Sequence, residues 1–215
     1  MKIFIPLLSL FVVLHCVPAV SAQTGADYYP LRKGDSWLYK TTPIGKSGIS
    51  SRTDKVVVWG KLFVGDKEAI VKENEDQNGS RSYQWLQKDS EGNIVLASIS
   101  TEPSRERRLV DFEPPMIIIS HDAQNVGASW EIRQKTNLGE LLSGTFLVES
   151  NKEKVIVPAG TFRDCLKVRQ ISYDENGKNG TRYIFFAKGI GIVLTEQTEP
   201  ENKRYRDELV EYTVK

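Results

Sequence analysis

The sequence predicts an all-β protein, with antiparallel meander sheets from two duplicated halves forming one barrel-like or sandwich domain with little helix. Three observations predict it. Short runs rich in Val, Ile, Thr and aromatics are punctuated by clusters of Gly, Pro, Asn and Asp, the pattern of strands and turns. No stretch of helical length shows 3.6-residue periodicity bounded by caps. A set of short motifs also occurs twice in the same order.

The first element is a leader. Met1-Lys2 gives a positive start, Ile3 to Val17 is apolar apart from Pro6, Ser9 and His15, and Val20-Ser21-Ala22 places small residues where a signal peptidase reads. Cleavage after Ala22 is expected, so residues 1–22 read as a signal peptide and 23–215 as a single β domain. The apolar run is shorter than the ~20 residues that span a bilayer. His15 stands where a lipoprotein signal needs a small residue before Cys16, so a soluble product, periplasmic or extracellular, is the expectation.

Composition then narrows the function classes. The leader holds one of the 29 basic residues (Lys2) and none of the 28 acidic ones, so the remaining chain is electrically balanced. No basic excess points to nucleic acid or to an anionic membrane surface. Arg105, Arg107 and Arg108 interleave with Glu102 and Glu106, the pattern of a solvated strand face. Past the leader Cys165 is the only cysteine, so stability must come from apolar packing and not from an internal disulfide.

The repeated motifs give the organisation. Gly34-Asp35-Ser36-Trp37 returns as Gly127-Ala128-Ser129-Trp130, and Asn78-Gly79-Ser80-Arg81 as Asn179-Gly180-Thr181-Arg182. Ile94-Val95-Leu96 answers to Ile192-Val193-Leu194, Glu102-Pro103 to Glu199-Pro200, and Leu109-Val110-Asp111-Phe112 to Leu209-Val210-Glu211-Tyr212. The reading is a duplicated β-meander with halves at 28–112 and 121–213. A period this long exceeds that of open solenoid arrays.

Within the halves, candidate strands are Ser36–Thr42, Lys55–Val64, Glu68–Glu73, Arg81–Lys88, Ile94–Ser100 and Arg107–Phe112. They continue with Ser129–Gln134, Gly144–Ser150, Lys154–Val157, Phe162–Tyr173, Thr181–Ala187, Gly191–Glu196 and Arg204–Val214. Asn78-Gly79 and Asn179-Gly180 each lie between strand-like runs and predict type I′ hairpins. Any helix is expected to be short and to fall near Glu113–Gln124, against the resistance of Pro114-Pro115.

Chemistry-bearing residues are sparse. His121, the single histidine past the leader, has Ser120 and Asp122 as sequence neighbours, but adjacent side chains on a strand point to opposite faces. It reads as a loop residue at the junction of the halves. Cys165 would share a face with Lys167 and Arg169, which favours a reactive thiol. Ala69 stands in its place in the first half, which favours a small packing position. Asp35, Asp54, Asp66, Glu73, Glu75, Asp76, Asp174 and Glu175 lie mostly in or beside turns. Asp174-Glu175-Asn176-Gly177 lacks the ligand alternation of a calcium loop and reads as a hairpin turn. Gly189 and Gly191 make no dinucleotide fingerprint and read as a tight bend or bulge. Trp37, Trp59, Trp85, Trp130, Tyr39, Tyr83, Tyr183, Phe185 and Phe186 fill a core or line an apolar pocket. No catalytic residue, cofactor site or metal site is assigned.

Tyr29-Pro30-Leu31 with Gly34 and Trp37, then Val157-Pro158-Ala159-Gly160-Thr161-Phe162 with Cys165-Leu166-Lys167-Val168, then Phe186-Ala187-Lys188-Gly189-Ile190-Gly191-Ile192-Val193 together resemble TapB-like exported bacterial proteins of unknown function. The resemblance implies a β-rich envelope domain distantly akin to half-barrel lipoprotein carriers. It assigns no catalytic residue, and the helix that those carriers pack on their sheet has no counterpart here. The expected function is non-enzymatic binding of an apolar ligand or a protein partner by a curved sheet. The alternatives are a purely structural envelope component and a carboxylate-dependent hydrolase.

Overall fold

Period-two alternation is the force that organises this chain. Ser129–Thr136 shows it most cleanly, since Trp130, Ile132, Gln134 and Thr136 are buried while Ser129, Glu131, Arg133 and Lys135 are exposed. The structure, a computed structural model, describes residues 24–45, 50–64, 67–101, 109–174, 177–198 and 204–215. The leader, the Arg105–Arg108 patch, the Glu-Pro pairs, Asp66 and Glu175 lie outside the described residues.

After a 3₁₀ turn (Gly25–Tyr28) come β1 (Ser36–Pro43), β2 (Arg52–Val64), β3 (Lys67–Asp76), β4 (Arg81–Lys88), β5 (Ile94–Ser100) and β6 (Leu109–Ile119). The second set is β7 (Ser129–Thr136), β8 (Leu141–Val157), β9 (Gly160–Asp174), β10 (Gly177–Ala187), β11 (Gly191–Thr198) and β12 (Arg204–Thr213). Each pairs antiparallel with its sequence neighbours, and β1 pairs with β12 from Ser36↔Thr213 to Pro43↔Tyr205, closing an all-β barrel. Closure removes the open flank of a half-barrel. Ser36-Trp37 opens β1 and Ser129-Trp130 opens β7, six strands on; Ile94 opens β5 and Ile192 lies at the start of β11, again six strands on.

Two local expectations are corrected. No helix forms over 113–124; β6 runs through both prolines to Ile119 and turns follow. The ladder to β5 jumps from Ser98↔Asp111 to Leu96↔Met116, and the ladder to β7 is confined to Phe112↔Thr136 and Glu113↔Lys135. Pro114-Pro115 therefore sits where neither neighbour calls for an amide donor. Asn179-Gly180 is likewise not a turn. It lies inside β10 at a register shift between Lys178 and Gly180, and the ladder to β9 already begins at Gly177↔Asp174.

One end of the barrel is plugged by the segment before β1. Tyr28 and Tyr29 join a core with Leu86, Leu96, Ile119, Trp130, Phe146 and Leu166. The Gly25 amide donates to the His121 carbonyl at 2.7 Å, and the Gly189 amide to the Asp27 carbonyl at 2.8 Å. On the same end the β11–β12 ladder reaches only to Leu194↔Glu208. There the long β8–β9 hairpin folds across: the Ala159 amide donates to the Leu209 carbonyl at 3.0 Å and Phe162 packs on Tyr212. Val155, Val157, Cys165, Phe185, Val193 and Leu209 form the apolar cluster beneath.

Candidate functional site

Strand polarity places an order on the barrel interior. Odd strands leave the plugged end and even strands return to it, so each strand's inward residues can be read from plug to opposite mouth. Along β2 they run Val58, Val56, Asp54; along β4, Leu86, Gln84, Ser82; along β7, Trp130, Ile132, Gln134. Along β9 they run Leu166, Val168, Gln170; along β10, Phe186, Ile184, Arg182. Each series passes from apolar to polar. The interior is amphipathic along its axis.

A cavity of about 430 Å³ occupies this interior. Leu96, Met116, Ile118, Ile132, Phe146, Ile184, Phe186 and Ile192 give it an apolar wall, while Asp54, Lys72, Asn74, Gln84, Gln170, Arg182 and Asp207 give it a polar one. Asp54, Asn74 and Ser82 also line a second recess at the mouth with Arg52, Asp76 and Arg81. The volume lies within the range of small-ligand pockets.

The polar groups are held individually. Trp37 Nε1 donates to the Ile190 carbonyl at 2.7 Å, and Tyr39 Oη to the Ile192 carbonyl at 2.9 Å. Burial pushes the Tyr39 phenol well above its ordinary range, helped by Tyr29 and Asp207 and opposed by Arg182, so it stays protonated. Thr41 Oγ1 donates to Asp207 Oδ1 at 2.7 Å, and Arg52 pairs with Asp54 at 3.2 Å. Lys72 Nζ donates to Tyr29 Oη at 2.6 Å and lies over that ring. Arg182 Nε is buried with no hydrogen-bond partner among the described residues.

Of the nine aromatics singled out by sequence, Trp37, Tyr39 and Phe186 line the cavity and Trp130 stacks on Phe146 beside it. The others do not gather there; Trp59, for example, is exposed and meets Tyr83 edge to face. Of the carboxylates singled out by sequence, Asp54 is the one among the described residues that lines the cavity. Asp76 caps its own turn by accepting from the Asn78 and Ser80 amides, and Asp35 is fully buried under the plug segment. Ser120 Oγ donates to Asp122 Oδ1, while the His121 ring lies against Asn93 Oδ1 at 3.2 Å. The three residues form no relay. Lys72, Gln170, Arg182 and Asp207, which sequence reasoning passed over, are cavity residues.

Cys165 is fully buried in the cluster under the β8–β9 hairpin. Lys167 and Arg169 turn instead to Glu149, at 3.0 and 2.8 Å. Burial, with Asp164 and Glu153 nearby, pushes the thiol up to about 11. At pH 8 the folded protein should therefore react with an aromatic disulfide reagent at least about a hundredfold more slowly than the denatured chain. Equal rates would show that the hairpin does not cover it.

No family model matches this chain, and no curated protein matches it. Two solved structures align with it. One is described as an exported protein with a YmcC-like fold from Bacteroides fragilis, 17% identical over 86% of this chain and 98% of that one, with a TM-score of 0.45. The other is described as a lipoprotein from Parabacteroides distasonis, 15% identical over the same shares, also with a TM-score of 0.45.

Proposed function

We propose that this protein is an exported, non-enzymatic binding protein of the cell envelope whose barrel interior holds a small molecule with an apolar part. The observation that carries this reading is the ordered interior: a closed barrel with a plug at one end, an apolar floor and a polar mouth around one cavity. A barrel that needed only stability would fill its interior with side chains. The signal-peptide pattern and the resemblance to TapB-like exported proteins support the placement in the envelope.

Binding is expected to be visible without knowing the natural ligand. A neutral naphthylamine probe should saturate at one site per chain. At a hundredfold excess over its Kd it should stabilise the protein by about 2.7 kcal/mol, raising Tm by roughly 5–10 °C. A clean unliganded mass after mild purification, together with no probe fluorescence and no Tm shift, would remove the proposal.

A second reading is favoured by the β6–β7 seam, where the ladder is confined to two residue pairs. Backbone groups of Met116–Ile118 there, half-buried and without a ladder to β7, would accept a strand from a protein partner. A photo-crosslinker at Ile117 that captured nothing from envelope fractions would count against it.

A further inference from the structure

We infer that the molecule held in the barrel is a single-chain amphiphile with an anionic head, its chain lying toward the plug and its head at Arg182 and Lys72. The inference rests on the binding role proposed above and names the chemistry of its ligand. The axial order sets the orientation, because Phe186 and Ile184 lie on the plug side of Arg182 on β10, as Leu166 and Val168 do of Gln170 on β9. A chain laid on the floor brings its head to the level of Arg182.

Charge sets the sign of that head. Arg182 Nε is buried and unpartnered, an expensive state for a guanidinium donor. Lys72 has a neutral partner, the Tyr29 phenol. Among the described residues no carboxylate lies within ion-pair distance of either cation. Of the cavity's own acids Asp54 pairs with Arg52, while Asp207 accepts from the neutral Thr41 hydroxyl, so among the described residues the two cations outnumber the one carboxylate without an ion pair. A carboxylate or phosphate head would meet two cations that have no described carboxylate at ion-pair distance, against the one unpaired acid, Asp207, and a guanidinium binds either oxyanion through paired donors. A cationic head would face the same two charges with repulsion. The volume, at the lower end of the range for small-ligand pockets, suits one chain.

The test uses the purified protein and competition against the neutral naphthylamine probe, with every amphiphile below its micellar concentration. The competitors are dodecanoate, dodecyl phosphate, 1-dodecanol, dodecyltrimethylammonium and inorganic phosphate. Both anionic amphiphiles should bind at least tenfold tighter than 1-dodecanol, the cation more weakly than the alcohol, and inorganic phosphate should displace nothing. Arg182→Gln should erase the anion preference, bringing both anions to the affinity that the same variant shows for 1-dodecanol; where it fails to fold, Lys72→Gln should reduce the preference. Equal binding of alcohol and anions, tight binding of the cation, displacement by inorganic phosphate, or variants that fold and keep the preference would overturn the head assignment and leave the binding role standing. Failure of the naphthylamine probe and of every long-chain competitor to bind would overturn both.

Discussion

Gly25→Ala is expected to cost about 2–3 kcal/mol and to loosen the plug, although it adds a single methyl group. Gly25 has closed on the turn after β6, its amide donating to the His121 carbonyl. A Cβ there would stand 1.8 Å from the Ser120 carbonyl oxygen and 3.3 Å from Ala123 Cβ. Neither neighbour is a flexible side-chain tip, and Ser120 accepts the Ala123 amide, so it cannot move aside without breaking its own turn. The demand at Gly25 is for space. Relief must come from withdrawal of the 3₁₀ turn, and with it Tyr28, which is 4% exposed in the core cluster that also holds Ile119, Ala123 and Trp130. The expected fall in Tm is about 5–10 °C for a domain of this size. Tryptic cleavage at Arg32 and Lys33 should accelerate before global unfolding, because the plug's removal leaves the barrel ladder intact. An unchanged Tm with unchanged cleavage would show that the segment is not seated as described.

The plug also separates what sequence could show from what it could not. Strand character was legible because alternation is local: Arg81–Lys88 and Ile94–Ser100 carry the same bounds in sequence and structure. Closure was not, since the β1–β12 ladder joins residues from opposite ends of the chain and no local pattern encodes it. The cavity was hidden for a further reason. Register shifts at Val58/Gly60, Trp85/Leu86 and Phe185/Phe186 each interrupt the alternation that a sequence reader counts. A charge beyond such a shift cannot be assigned to a face by counting from the apolar end. Asp207 sits in the charged run Arg204 to Glu208 and Arg182 beside an aromatic run, and both line the interior. Pro114-Pro115 argues against a helix over 113–124, and none forms; the strand that runs through them was not legible, since two prolines fit a strand only where both of its ladders lapse.

Those lapses bear on how a ligand would enter. Among the described residues the turns at 77–80 and 137–140 lie at the mouth, and its wall is polar at Asp54, Asn74 and Ser82. The apolar floor approaches the outside at the β6–β7 seam, where Met116 and Ile118 line the cavity from a strand whose ladder to β7 has stopped. Of the two ladder gaps, the one between β11 and β12 is covered by the β8–β9 hairpin through Ala159 and Phe162. The proposed binding role therefore meets a barrel that is sealed at the plug and braced on one flank.

Asp35→Ala should be the second costly substitution, at about 2–4 kcal/mol, because its carboxylate ties the plug segment to the last residues of β12's extension. Asp35 is fully buried. Oδ2 accepts the Arg32 amide at 2.8 Å and Oδ1 the Lys215 amide at 3.1 Å, while the Asp35 carbonyl accepts the Val58 amide at 2.9 Å. Hydrogen bonds to a charged group contribute about 1.5–3 kcal/mol each. The Lys215 side can be rewetted, since that residue is exposed, so the full sum is not expected. Asp35→Asn keeps one acceptor oxygen and should lose roughly half as much, a graded pair that separates lost hydrogen bonds from lost packing. Removing the carboxylate should also free Arg32, whose Nη1 donates to the Lys215 carbonyl. Chemical denaturation should show the loss in midpoint with an unchanged m-value, because the barrel still unfolds as one surface. If Ala and Asn proved equally mild, within about 0.5 kcal/mol of the parent, the junction of plug and closing strand would not depend on Asp35, and the barrel's seal would have to rest on Tyr28 and its apolar neighbours alone.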